Sequence, residues 1–124
     1  MGWGYRRGLT VMSLMVLYFK LNLLFIGVFK DDKPDGKGKF TYAGGDVYNG
    51  LWENGQPTHG TYTSKADGSV YKGDFKNDKK DGEGKETWPD KSSYNGSYVN
   101  NQKDGVGKYV WANGNTYDGH WCDN

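Results

Sequence analysis

Cysteine is nearly absent. The single Cys122 cannot close a disulfide within the chain, so nothing here is built for an oxidising compartment. Aliphatic residues are scarce as well. Hydrophobic residues make up only 35% of the 124 residues, low for a packed globule, which argues against helix packing. An excess of one charge is also missing. The formal net charge is +1, so no global field draws the chain to nucleic acid, and no nucleic-acid partner is expected. What the chain has instead is glycine, 20 residues of it, and aromatics, at 16%. Together these favour strands and turns.

The aromatics and glycines are periodic. The pattern aromatic-x-Gly-x-aromatic starts at Phe25, Tyr48, Tyr71, Tyr94 and Tyr117, and every step is 23 residues. It closes at Phe29, Trp52, Phe75, Tyr98 and Trp121. A Gly-x-Gly follows in the same phase at Gly36–Gly38, Gly82–Gly84 and Gly105–Gly107. Further aromatics come next, Phe40 and Tyr42, Trp88, then Tyr109 and Trp111, before a turn such as Ala43-Gly44-Gly45-Asp46. The second unit departs: Gly60 arrives one position early and Thr58 replaces the first glycine. A shortened hairpin loop, compensated by a longer turn at Ser64–Gly68, accounts for this.

Within a unit the apolar spacing is two, which is strand spacing. Tyr71, Gly73 and Phe75 share one face, and Lys72 and Asp74 the other. Each unit is therefore a hairpin with an aromatic face and a polar face. The glycine between two rings leaves a gap in which a ring from the next hairpin can lie flat on the backbone. A lone hairpin is marginal in water, so stability builds between stacked neighbours. The expected fold is all-β: an elongated single-layer antiparallel sheet of stacked hairpins, curved, with rings on its concave side.

These units, Tyr-x-Gly-x-Trp with Gly-x-Gly and a glycine-bearing turn, resemble the MORN (membrane occupation and recognition nexus) repeat. The resemblance covers about residues 25–121, four full units and a half unit from Tyr117, in an array assigned to 25–124. It departs at Thr58-His59-Gly60, and at Glu86 and Lys91, where an apolar residue and a glycine are usual. The resemblance implies scaffold proteins of cilia and cell cortex, membrane tethers, or accessory repeats beside a phosphatidylinositol-phosphate kinase or methyltransferase domain. It implies no catalysis by the repeats themselves. It implies phospholipid binding for some arrays and protein-binding or dimerising surfaces for others.

Residues 1–24 stand outside the period. Arg6-Arg7 precede an apolar run from Leu9 to Phe19, interrupted by Lys20 and Asn22. Three readings stay open: a capping strand, a signal segment, or a membrane anchor.

Catalytic and metal chemistry find little support. Asp31-Asp32-Lys33-Pro34-Asp35-Gly36 starts like a calcium loop, but Lys33 and Tyr42 stand where ligands belong. Gly36-Lys37-Gly38-Lys39 lacks the Gly-Lys-Ser/Thr ending of a phosphate loop. His120 and Cys122 are two ligands at most. No nucleophile, base and orienter can be assembled, so no enzyme, metal or cofactor is expected.

Two surfaces remain. Lys30, Lys33, Lys37 and Lys39, with Lys76, Lys79, Lys80 and Lys85, crowd the first and third loops and suit anionic phospholipid, although neighbouring aspartates offset them. The better surface is an aromatic groove lined by Tyr48, Trp52, Tyr71, Phe75, Trp88, Tyr94, Tyr98, Trp111, Tyr117 and Trp121. Most of these rings hold the repeats together. The uncovered ones form an apolar stripe for a helix, an extended peptide or a second copy of the array. The leading expectation is a non-catalytic, cytoplasmic scaffold, cytoskeletal or ciliary, that binds a protein partner. The alternatives are a membrane-associated module and the accessory repeats of an enzyme.

Overall fold

Four short turns set the register. Asp31-Asp32, Asn54-Gly55, Asn77-Asp78 and Asn100-Asn101 all have positive φ, from 49° to 83°. Two successive left-handed residues make the type I′ turn, whose twist matches the strands it joins, and Asn, Asp and Gly tolerate it best. The computed structural model describes residues 16–20, as backbone, and 23–122. The strands are β1 (Val16–Lys20), β2 (Leu23–Lys30), β3 (Lys33–Thr41), β4 (Val47–Glu53), β5 (Gln56–Thr63), β6 (Val70–Lys76), β7 (Lys79–Thr87), β8 (Ser93–Val99), β9 (Gln102–Val110) and β10 (Thr116–Trp121). They form one antiparallel sheet in chain order, the arrangement the hairpin periodicity implies. Of the segment 1–24, residues 1–15 and 21–22, on which the signal and anchor readings rest, lie outside the described residues. Val16–Lys20 pairs with β2. No helix among the described residues is long and apolar enough to cross a membrane.

The register produces a glycine row that runs without a break from β2 to β10. Gly27 faces Gly38, then come Gly50, Gly60, Gly73, Gly84, Gly96, Gly107 and Gly119. The adjacent row on the same face is aromatic: Phe25, Phe40, Tyr48, Tyr62, Tyr71, Glu86, Tyr94, Tyr109 and Tyr117. Glu86 is its one exception. The rings of Phe25, Tyr48, Tyr71 and Tyr94 lie over the glycine pairs. A Cβ built on Gly84 would sit 2.4 Å from the Tyr71 ring, and one on Gly107 2.4 Å from the Tyr94 ring carbon. This corrects the expectation that the next hairpin supplies the ring: each glycine pair is covered by the leading aromatic of its own hairpin. The next hairpin contributes an indole N–H instead. Trp52 Nε1 donates to the Gly38 carbonyl and Trp121 Nε1 to that of Gly107, both at 3.1 Å.

The rings then interlock. Phe29, Phe25, Trp52, Tyr48, Phe75, Tyr71, Tyr98, Tyr94, Trp121 and Tyr117 form an unbroken edge-to-face zigzag with centroids 5.1–5.3 Å apart. Each such pair contributes about 0.5–1.5 kcal/mol beyond its burial. Each leading ring touches the closing ring of its own unit and that of the next, so the zigzag is what joins neighbouring hairpins. The tyrosine hydroxyls are satisfied locally. Tyr48, Tyr71, Tyr94 and Tyr117 donate to the carbonyls of Leu51, Asp74, Ser97 and His120, three residues on.

The second unit is irregular for a different reason from the one expected. Its hairpin turn has the usual length: Trp52 faces Pro57 and Glu53 faces Gln56, as Phe29 faces Pro34 and Lys30 faces Lys33. The missing residue comes from the bulge. In the other units an Asp-Gly-x bulge lies between paired positions, Asp35-Gly36-Lys37 for example, with Gly36, Gly82 and Gly105 at φ near 100°. In the second unit only two residues, Thr58 and His59, stand there, and His59 pairs with Leu51. The compensating turn, Ser64–Ser69, is longer as expected and is closed by Ser64 N–H donating to Ser69 O.

Candidate functional site

The shortening of the bulge has a local consequence. Elsewhere the turn of one hairpin is braced on its predecessor. Asn54 N–H donates to Asp35 and Gly55 N–H to Pro34 O; Asn100 N–H donates to Asp81 and Asn101 N–H to Lys80 O. The second unit has no aspartate in its bulge, and no such brace joins the second and third hairpins among the described residues. An open depression of about 640 Å³ lies on the ring face at this junction, over Phe40, Tyr42, Trp52, Tyr62 and Phe75, with Asp78 and Lys80 at its edge.

Two tiers of rings line the face. Tyr48, Trp52, Tyr71, Tyr94 and Tyr98 are buried, so these five expected groove residues form the floor and hold the repeats together. Phe75, Trp88 and Trp121 are half-buried, and Trp111 and Tyr117 are 44% exposed. Sequence reasoning missed Phe40, Tyr42, Tyr62 and Tyr109, which stand half-buried in the upper tier. Phe40, Tyr42 and Tyr62 pack in one tilted series, and Trp88, Tyr109 and Trp111 in another. The signal for them was present, since they follow the Gly-x-Gly at strand spacing.

Between the two series the row is polar. Glu86 takes the ring position and is 7% exposed. It accepts the Tyr98 hydroxyl at 2.8 Å and pairs with the Lys80 ammonium at 3.0 Å. Burial, then the charge of Glu86, pushes the Tyr98 hydroxyl far above the ordinary tyrosine value, so it stays a neutral donor. Lys80 also lies over the rings of Tyr71 and Tyr98, at 5.4 and 5.8 Å. The expectation that Lys80 belongs to a loop cluster facing lipid is thereby corrected. It lies two residues past the turn, opposite Phe75, and strand alternation turns it to the ring face.

The other expected lysines lie apart. Lys30 faces Lys33 and Lys76 faces Lys79 beside their turns, all four exposed. Lys37, Lys39 and Lys85 are exposed on strands β3 and β7. Sequence reasoning missed Lys72 and Lys108. With Lys39 and Lys85 they fall in one cross-strand row on the outer face, spaced by Asn49, Thr61 and Asn95, and Lys72 directly faces Lys85. On the same face His59 Nδ1 meets Asp74 at 2.8 Å, which holds that carboxyl below its ordinary value. His120 and Cys122 are exposed. No group of three or more His, Cys, Asp or Glu residues is placed to hold a metal among the described residues.

The protein-family model for the MORN repeat matches residues 25–47, 71–93 and 94–116, just over half of the chain. The unmatched interval between them is the irregular second unit. No curated protein matches the chain.

Proposed function

Because the chain belongs to the MORN repeat family, whose repeats are non-catalytic interaction modules, we propose that it is a scaffold array that seats a peptide segment of a protein partner on its ring face. One observation carries this reading. A single-layer sheet buries its lower rings but leaves Phe40, Tyr42 and Tyr62, and then Trp88 and Tyr109, only half-buried, and Trp111 exposed. Exposed apolar stripes of this kind mark partner sites, and Tyr and Trp are the side chains that anchor them. The depression offers an apolar floor ready to receive an anchor side chain. The test is binding of peptides selected from a random display library on the whole chain. Tyr42→Ala and Trp88→Ala should each weaken the selected peptides about tenfold while leaving the thermal melt nearly unchanged. Selected peptides indifferent to both substitutions would end this reading.

The lysine row favours a second reading, contact of the outer face with an anionic bilayer. Lys72 directly opposite Lys85 repels across the strands, an arrangement that a dense anionic surface relieves. Co-sedimentation with phosphoinositide vesicles that survives physiological salt, and is lost in Lys72→Gln with Lys85→Gln, would place this reading above the first.

A further inference from the structure

One position on the ring face divides the array. Nine residues after each leading aromatic stand Pro34, Pro57, Lys80 and Lys103. Each faces the closing ring of its unit: Phe29, Trp52, Phe75 and Tyr98. The position is apolar in the first two units and cationic in the last two.

The two lysines keep different company. Lys80 has Glu86 as its counter-charge. In the fourth unit the residue matching Glu86 is Tyr109, and among the described residues Lys103 forms no ion pair. Its ammonium lies over three rings instead, 5.4 Å from Trp88, 5.5 Å from Tyr94 and 6.0 Å from Tyr109. Burial pushes its pKa down; the charge of Glu86 opposes that and the charge of Lys80 adds to it. A half-buried ammonium held only by ring faces has lost part of its hydration without gaining a carboxylate. A partner that supplies one completes it with a charge-assisted hydrogen bond.

We infer that the ring face selects an acidic amphipathic peptide, with an apolar side chain seated in the depression beside Tyr42 and Tyr62 and a carboxylate meeting the Lys103 ammonium. The inference rests on the ring-face reading above and adds the partner's chemistry. Glu86 beside Lys80 argues for a singly charged carboxylate over a phosphate, because a second negative charge would be repelled there. The geometry sets a spacing. Tyr62 is on β5, and the Lys103 ammonium lies over Tyr109, which continues the Tyr62 row on β9, four strand intervals or about 19 Å away. An extended peptide crosses that distance in roughly six residues.

The whole chain and its Lys103→Glu, Lys103→Gln and Tyr42→Ala variants are panned at physiological salt against random peptides long enough to span both points. The unsubstituted chain should enrich peptides carrying Asp or Glu about six residues from an apolar anchor. Lys103→Glu should replace that acid with Lys or Arg. Lys103→Gln, which removes the charge but keeps an N–H donor, should lose the acidic preference and gain no other. Replacing the acid of the best peptide by its amide should weaken binding about tenfold to the unsubstituted chain and leave Lys103→Gln unaffected. Peptides that depend on Tyr42 yet carry no acid, or an acidic preference that survives Lys103→Gln, would overturn the inference and leave the ring-face reading standing. No enrichment, or enrichment indifferent to Tyr42→Ala, would overturn both.

Discussion

The Tyr98 hydroxyl donates to one oxygen of the Glu86 carboxylate at 2.8 Å, while Lys80 holds the other at 3.0 Å. This three-residue bridge sits where the aromatic row would otherwise run on, and it is nearly closed to solvent at Glu86. Removing the carboxylate leaves a buried hydroxyl without an acceptor and a partly buried ammonium without its counter-charge. Glu86→Ala should therefore cost about 2–4 kcal/mol in urea unfolding. Glu86→Gln keeps an acceptor for Tyr98 and should cost about half as much. Equal losses for the two substitutions would show that the hydroxyl bond contributes nothing.

The glycine row predicts a second contrast. Gly84 lies under the Tyr71 ring, and an added Cβ would meet ring carbons and the hydroxyl at 2.4–2.5 Å. The ring cannot retreat, because Phe75 and Tyr98 pack edge-on against it. Gly84→Ala should destabilise by about 1–3 kcal/mol. Gly44, with nothing within 4 Å of an added Cβ, is the control, and Gly44→Ala should leave the melt within about 0.5 kcal/mol of the unsubstituted chain. A Gly84→Ala protein as stable as the control would refute the close approach of ring and backbone.

How much of this was legible follows from what a period can express. A 23-residue step and two-residue alternation put the leading and closing rings on one face, and the single-layer sheet followed. Which hairpin covers a given glycine did not follow, because ring direction depends on rotamers and register rather than spacing. The bulge was invisible for a related reason. The early Gly60 shows that a residue is missing, but only the pairing of Trp52 with Pro57 shows that the turn kept its length. Lys80 was misplaced by its neighbours: a run of Asp78-Lys79-Lys80-Asp81 looks like a solvated loop until the turn is fixed at Asn77-Asp78, after which alternation carries Lys80 inward. Glu86 was recognised as a departure, yet its partners lie 6 residues back on its own strand and 12 residues on, on β8.

The turn braces predict a third effect. Asn101 holds φ at 72°, its side chain accepts the Lys80 N–H at 2.9 Å, and its own N–H donates to Lys80 O at 2.9 Å. Asn101→Ala loses the side-chain bond and places a less tolerant residue in the left-handed region, so it should cost about 1–2 kcal/mol. Asn101→Gly loses the same bond but relieves the backbone and should stay within about 0.5 kcal/mol of the unsubstituted chain. Chemical denaturation of the pair separates the two contributions, and an Asn101→Gly protein less stable than Asn101→Ala would contradict them.

The tyrosine hydroxyls predict the alkaline limit of the fold. Burial pushes Tyr48 up to about 12 from the ordinary 10.0, against the opposing pull of its backbone hydrogen bonds. Burial is also the first cause at Tyr42, Tyr62, Tyr71, Tyr94 and Tyr98, all raised. Each group is then harder to ionise folded than unfolded. Its contribution to stability is complete below the unfolded value near 10.0 and is lost as pH rises through the folded value, so the ladder should come apart between about pH 10 and 12. Tyrosinate absorbance and the β-sheet circular dichroism, followed together in an alkaline titration, should change in one cooperative step within that window. Complete ionisation near pH 10 with the sheet intact would mean that the hydroxyls of Tyr48, Tyr71 and Tyr98 face water and that the ring ladder is not packed as described.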